Sequence, residues 1–259
     1  MGNAIEIDFK SSKTGDIRIV SEKRTLLKKD GTPKNTKNNT KLCRDTVANI
    51  KEEDIPKFIE YFDMRIMCAS DSEKRKSWVR NKVMFVCAIN IGLRVSDLVK
   101  LKWSTVLFKN GKFREGVKIK PDKTSKCNGG KGKLVFLAFN ESFQRAVAYY
   151  MNENHIIVDD ENYNDYMFKT RQSGHMSPDA WGIIVKNAGK ACNVTYNVNS
   201  HSCRKTFCRS RYDHAEDKNM VLTQLQMLLG HSSTLVTLRY ICIEQEEIRE
   251  LYNSVNLGM

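Results

Sequence analysis

Residues 201–240 read HSCRKTFCRSRYDHAEDKNMVLTQLQMLLGHSSTLVTLRY. HSCRKTFCRSRYDHA, MVLTQLQMLLG and STLVTLRYI are short amphipathic units, separated by Asp217 to Asn219 and by Gly230-His231-Ser232. Capping residues open such units and a glycine closes them, so the stretch predicts consecutive short helices. A further unit, EEIRELYNSV, follows Glu244 and sets Ile248, Leu251, Tyr252 and Val255 on one helical stripe.

Working back, DIPKFIEYFDMRIM places Ile55, Phe58, Ile59, Phe62 and Ile66 at helical steps after an Asp54 cap, with Pro56 in the first turn. A second amphipathic helix is predicted from about Glu73 to Ile91, ending at Gly92, and Ser96 is predicted to cap a short helix, SDLVKL. The middle alternates: TVLFKNGKF reads as two short strands around Asn110-Gly111, FREGVKIK continues the second, and KLVFLAF is a third. Helices resume at about Glu141 to Asn152 and after the Ser177-Pro178 cap. The predicted class is mixed α+β, mainly α-helical with a small three-stranded antiparallel sheet. Residues 1–48 lack any period and are expected to be a basic, polar arm, partly disordered, ahead of a folded domain at 49–259.

The 259 residues are 41% hydrophobic and 28% charged with only 4 Pro, which excludes collagen-like, disulfide-scaffold and wholly disordered chains. The longest apolar run, Val83 to Ile89, is far below the roughly 20 residues of a membrane span, and no secretory signal opens the sequence, so the cytosol is expected. The eight cysteines form no CxxC pair and read as reduced, mostly buried thiols rather than metal ligands. The formal net charge is +13. Residues 10–44 carry 11 Lys and Arg against 3 Asp and Glu, and residues 100–133 carry 11 against 2, leaving the rest net negative. Two such concentrations point to a polyanion, above all nucleic acid, over merely solvated lysines.

Three motifs carry chemistry. In GLRVSDL, 92–98, Arg94 follows a helix stop and Asp97 stands close enough to orient it; a rigidly held guanidinium can pair with phosphate oxygens. His201 and Arg204 are three apart, on one helix face. In LLGHSSTLVTLRY, His231 stands at a turn and Tyr240 falls nine residues later. Singly, each is ordinary: a surface ion pair, a satisfied histidine, a buried tyrosine. Together they supply what phosphodiester cleavage needs: a nucleophile, positive charge for the transition state and a proton for the departing oxygen.

In this order and spacing, GLRVSDL, HSCRKTF and LLGHSSTLVTLRY resemble the motifs of the tyrosine recombinase (phage integrase) family, over about residues 50–245. The resemblance implies a catalytic set of Arg94, Lys123, His201, Arg204, His231 and Tyr240, with Asp97 in the acidic, orienting position. Its lysine belongs in the turn between the second and third strands, where Asp122-Lys123-Thr124 fits best; Lys126, Lys131 and Lys133 remain alternatives. Lys118, Lys120, Lys126, Lys131 and Lys133 are the candidate DNA-binding residues.

The implied activity is site-specific cleavage and rejoining of double-stranded DNA through a 3′-phosphotyrosine, for a phage or other mobile element, with no metal or cofactor. Tyr240 attacks, Arg94 and Arg204 hold the phosphate, Lys123 protonates the 5′-oxygen, His201 assists and His231 hydrogen-bonds the phosphate. The family also implies a homo-tetramer on DNA in which helix 244–255 docks into a neighbour, against the alternative that it packs on its own core; the place of action is the cytoplasm, at the nucleoid. Family members usually carry a helical core-binding domain first, and residues 1–48 are too few and too polar for one. Two readings follow: a catalytic portion of a longer protein, or a minimal enzyme. The competing functions are a type IB topoisomerase and a DNA-binding relative without catalysis.

Overall fold

Helix α2 (Ser72–Ile91) organises the structure, a computed structural model that describes residues 47–121, 134–171, 174–241 and 251–255. These fall in a unit spanning Arg44–Met259. Asp71 opens α2 by accepting the Lys74 amide at 2.8 Å, and Gly92 closes it in the left-handed region. Its second half is not one-faced, as the amphipathic reading expected. Val83, Met84, Phe85, Cys87, Ala88 and Ile91 are all buried, because α1 (Ile55–Met67), α5 (Glu141–Glu153) and α7 (Ser200–Asp213) pack around it. Phe58 of α1 stacks on Phe85 at 5.4 Å and Phe62 tilts against it at 5.5 Å. Each buried phenyl contributes roughly 1.5–3 kcal/mol through removal from water.

Between α2 and α5 lie α3 (Val95–Leu98), α4 (Trp103–Val106), β1 (Gly116–Ile119) and β2 (Val135–Ala138). Two of the three expected strands pair, antiparallel, with Gly116 opposite Ala138 and Ile119 opposite Val135. The first expected strand is instead α4, followed by a single bridge between Leu107 and Phe113. The alternation misled because Val106 and Leu107 are both buried, which successive residues of a half-buried strand cannot be; a helical turn buries Trp103 and Val106 together. The Asn110-Gly111 turn forms as expected, Gly111 having a φ of +78°.

The remaining helices start where their caps stand. Asn140 caps α5 and Ser177 caps α6 (Pro178–Ala191), with Pro178 in its first turn; Asp217 caps α8 (Lys218–Leu229) and Ser233 caps α9 (Thr234–Tyr240). Two caps differ from the sequence reading. Asp54 accepts no amide of α1; its carboxylate takes Lys57 Nζ and the Tyr196 hydroxyl, each at 2.7 Å. Ser96 lies inside α3, whose N-cap is Arg94, because the Arg94 carbonyl already accepts the amides of Asp97 and Leu98 at 2.9 Å.

α8 and α9 bury a second, smaller apolar cluster of Leu222, Leu225, Leu229 and Ile241 with Cys208 of α7. Residues 1–46 of the expected arm, the turn holding Lys123, Lys126, Lys131 and Lys133, and residues 244–250 of the expected last helix lie outside the described residues. Val47 and Ala48, assigned to the arm, bond to the folded body: Ala48 donates to the Asn197 carbonyl at 2.9 Å. Among the described residues no helix is long and apolar enough to cross a membrane. Cys87, Cys203 and Cys208 are buried free thiols, Cys192 is half-buried and Cys68 is exposed.

Thr206 of α7 helps fasten the segment before α1. The Ile50 amide donates to Thr206 Oγ1 at 2.8 Å, and that hydroxyl has the carbonyls of Ser202 (2.9 Å) and Ile50 (3.3 Å) as acceptors for its single proton. Thr206→Val keeps the shape and leaves the buried Ile50 amide without its acceptor. It is expected to cost about 1–3 kcal/mol, read as a lower urea midpoint at unchanged slope.

Candidate active site

At the end of α2, Gly92 has a φ of +60°, and a Cβ there would lie 2.3 Å from Cδ1 of Phe207 on α7. Only glycine meets both conditions. The turn passes the chain to Arg94, which is extended (φ −63°, ψ 148°) and half-buried. Across the site, Asn199 caps α7 by accepting the His201 amide at 2.8 Å, while its own amide donates to Ser202 Oγ at 3.0 Å. One turn further on, Arg204 enters the core with only 7% of its surface exposed.

Both guanidinium groups are anchored on main-chain carbonyls at the ends of helices. Arg204 Nη1 donates to the Gly92 carbonyl at 2.7 Å, and Arg94 Nη2 donates to the Leu229 carbonyl at 3.1 Å. Carbonyls at helix C-termini lack intrahelical partners and carry the negative end of the helix dipole, so each suits a cation. Burial lowers the Arg204 pKa, Arg94 lowers it further by repulsion, and Tyr240 and Asp97 oppose the shift. The two arginines are thus held in electrostatic contact although they repel.

Tyr240 is the last residue of α9, half-buried, with its phenol under the influence of the Arg204 side chain. Burial pushes the phenol up to about 12, while the Arg204 charge and hydrogen bond and the Arg94 charge pull it back. The resting side chain is therefore a neutral phenol with cations around it. His231 meets the Tyr240 ring edge-on, centroids 5.3 Å apart. Its turn is fixed by Gly230 (φ +71°) and by Gln226, whose main-chain carbonyl accepts the His231 amide at 3.1 Å and whose side chain donates to the His231 carbonyl at 3.2 Å.

His231 Nδ1 lies at hydrogen-bond distance, 3.1 Å, from Thr237 Oγ1, which also has the Ser233 carbonyl at 3.4 Å. Burial, then Arg204 and Arg94, lowers the His231 pKa and keeps the ring neutral near pH 7.

Of the residues singled out in the sequence, Arg94, Arg204, His231 and Tyr240 come together here, and Asp97 acts on Arg204 electrostatically. His201 is exposed, one turn before Arg204. Lys118 and Lys120 are exposed on and just after β1. The sequence reading missed Lys205, whose Nζ lies over the Tyr240 ring at 5.3 Å, and Thr237, buried beneath His231. No spacing signalled either; Lys205 is revealed by its contact with Tyr240 and Thr237 by its contact with His231.

The family model of the phage integrase family matches residues 49–247. The chain is similar to the probable integrase/recombinase YoeC of Bacillus subtilis, 29% identical over 174 residues, covering 67% of this chain and 83% of that protein. It is also similar to tyrosine recombinase XerD of Ralstonia nicotianae, 24% identical over 198 residues, covering 76% of this chain and 59% of that protein. Among solved structures, the XerA recombinase aligns with a TM-score of 0.53 at 20% identity, covering 82% of this chain and 66% of that one. XerH bound to a palindromic difH substrate aligns with a TM-score of 0.56 at 17% identity, covering 79% and 52%. These two structures share the fold. The chain spans about three fifths of the XerD relative's length.

Gly92→Ala tests the anchoring of Arg204. It forces a left-handed alanine and a collision with Phe207, and is expected to destabilise by about 2 kcal/mol or more in denaturant unfolding.

Proposed function

The chain belongs to the phage integrase family, and from that premise we propose that it is a site-specific DNA recombinase that cleaves and rejoins strands through a phosphotyrosine at Tyr240. The observation that carries this reading is the convergence on Tyr240: the charges of the buried Arg204 and of Arg94 act on its phenol, and the His231 ring meets its edge at 5.3 Å. A phosphodiester placed there supplies the negative charge that two repelling guanidiniums lack. Because they are fixed beforehand on carbonyls, they stabilise the pentacoordinate transition state without reorganising. The phenolic proton must leave as the oxygen attacks phosphorus, and the surrounding cations favour the phenolate as it forms.

Double-stranded DNA is the proposed substrate; solved structures similar to this chain include XerH with difH and the Tn1549 integrase with transposon DNA. In this reading Lys123 protonates the 5′-oxygen, with Lys126, Lys131 and Lys133 as alternatives. His201 assists proton transfer, and His231 hydrogen-bonds the phosphate. Asp97 orients the arginines. Lys118 and Lys120 project from the hairpin as phosphate contacts, and the basic residues up to 48 follow the duplex backbone, with catalysis confined to 49–259. No metal or cofactor takes part in this scheme.

Leu251, Tyr252 and Val255 are exposed, which favours docking of the last helix on a second subunit, within a tetramer on DNA at the nucleoid. A groove of about 560 Å³ between α7 and α8, lined by Phe207, Val221, Leu225 and Leu228, has the apolar character to receive it.

A suicide DNA substrate tests the chemistry. The protein is expected to form a denaturation-resistant adduct that Tyr240→Phe abolishes with binding retained; an adduct persisting in that variant refutes the nucleophile. Arg94→Ala and Arg204→Ala are each expected to slow single-turnover cleavage by at least ~10²-fold. Affinity is expected to fall with salt at a log-log slope near −0.9 per phosphate neutralised, measured by anisotropy titration.

A further inference from the structure

Lys205 follows Arg204 on α7, inside the HSCRKTF stretch, and the sequence reading gave it no role. Two contacts of its ammonium bear on the site. Nζ donates to the Val47 carbonyl at 2.6 Å, and it lies over the Tyr240 ring, 5.3 Å from the centroid. Neighbouring residues on a helix point about 100° apart. Arg204 therefore acts on the phenol while Lys205 covers the ring. The carbonyl fixes where the ammonium sits, so the charge over the ring does not depend on a freely swinging side chain.

We infer that Lys205 is a positioning residue, seating the Tyr240 ring beneath a fixed positive charge and tying it to the stretch around Val47. The inference rests on the proposed reading of Tyr240 as nucleophile. A cation against an aromatic face is attracted by the ring quadrupole, and the attraction strengthens when the ring becomes anionic. The other groups acting on the phenol are Arg204, Arg94 and the Cys208 thiol, with the His231 ring against its edge. Of the two cations that touch the side chain, Lys205 alone is also bonded to the segment ahead of α1. A displacement of residues 47–51 would move the charge over the ring and leave the Arg204 anchor on Gly92 in place.

The test needs no DNA, so its result is separate from whether the chain cleaves DNA. Tyr240 is replaced with 3,5-difluorotyrosine, whose phenol is more acidic than tyrosine's, and ionisation is followed by absorbance and fluorine NMR. Lys205→Met is expected to raise the midpoint by at least about 0.5 pH units, the effect of a unit charge at this distance even in water. Lys205→Gln, which keeps a donor for Val47 without the charge, is expected to do the same and stands in if the Met variant fails to fold. Lys205→Arg is expected to restore the midpoint. Equal midpoints with lysine and glutamine at 205, or a failure of arginine to restore the value, would overturn the assignment.

Discussion

The hydrogen bond from Arg204 to the carbonyl of Gly92 is the constraint on which the site depends. A guanidinium with 7% exposure is costly to remove from water unless its donors are satisfied. Here a helix terminus supplies an acceptor with favourable polarity. The same contact needs α2 to stop at Gly92, and the stop needs a residue without a Cβ because Phe207 lies against it. Helix end, glycine and buried charge form one unit: removing any of them releases the other two.

The second guanidinium repeats the device. Arg94 rests on the end of α8 as Arg204 rests on the end of α2, so two helix termini from distant parts of the chain set the spacing of two like charges. The repulsion between the two charges is offset by the carbonyl each one meets and, for Arg204, by Asp97 and Tyr240. The phenol follows the same logic: burial disfavours its ionisation and the arginines favour it, so both protonation states are sensitive to what enters between them.

Much of this was legible in the sequence, for physical reasons that differ by element. Gly92, Ser177-Pro178 and Gly230 are punctuation whose meaning is local, and the helix limits they imply are the ones observed, whereas the separator Asp217 to Asn219 proved shorter, with Lys218 and Asn219 already helical. The joint spacing of Arg94, Arg204, His231 and Tyr240 was informative because no single motif had to carry it. Local pattern failed at Trp103–Val106, where burial on two sides erased the difference between a strand and a helical turn. It failed also for Asp54, whose partners are Lys57 one turn on and Tyr196 far along the chain. Lys205 and Thr237 were invisible for a related cause: their neighbours at the site come from packing between helices and from the path of the turn at His231, not from periodicity.

Tyr240 ends a helix of seven residues. Two turns of α-helix do not persist alone in water, since nucleation consumes most of what so few hydrogen bonds return. The phenol keeps its place because Thr237 and Ile241 are sealed beneath α9. The Tyr240 ring therefore owes its position to the packing of α9, whereas the Arg204 anchor on Gly92 joins two other, longer helices.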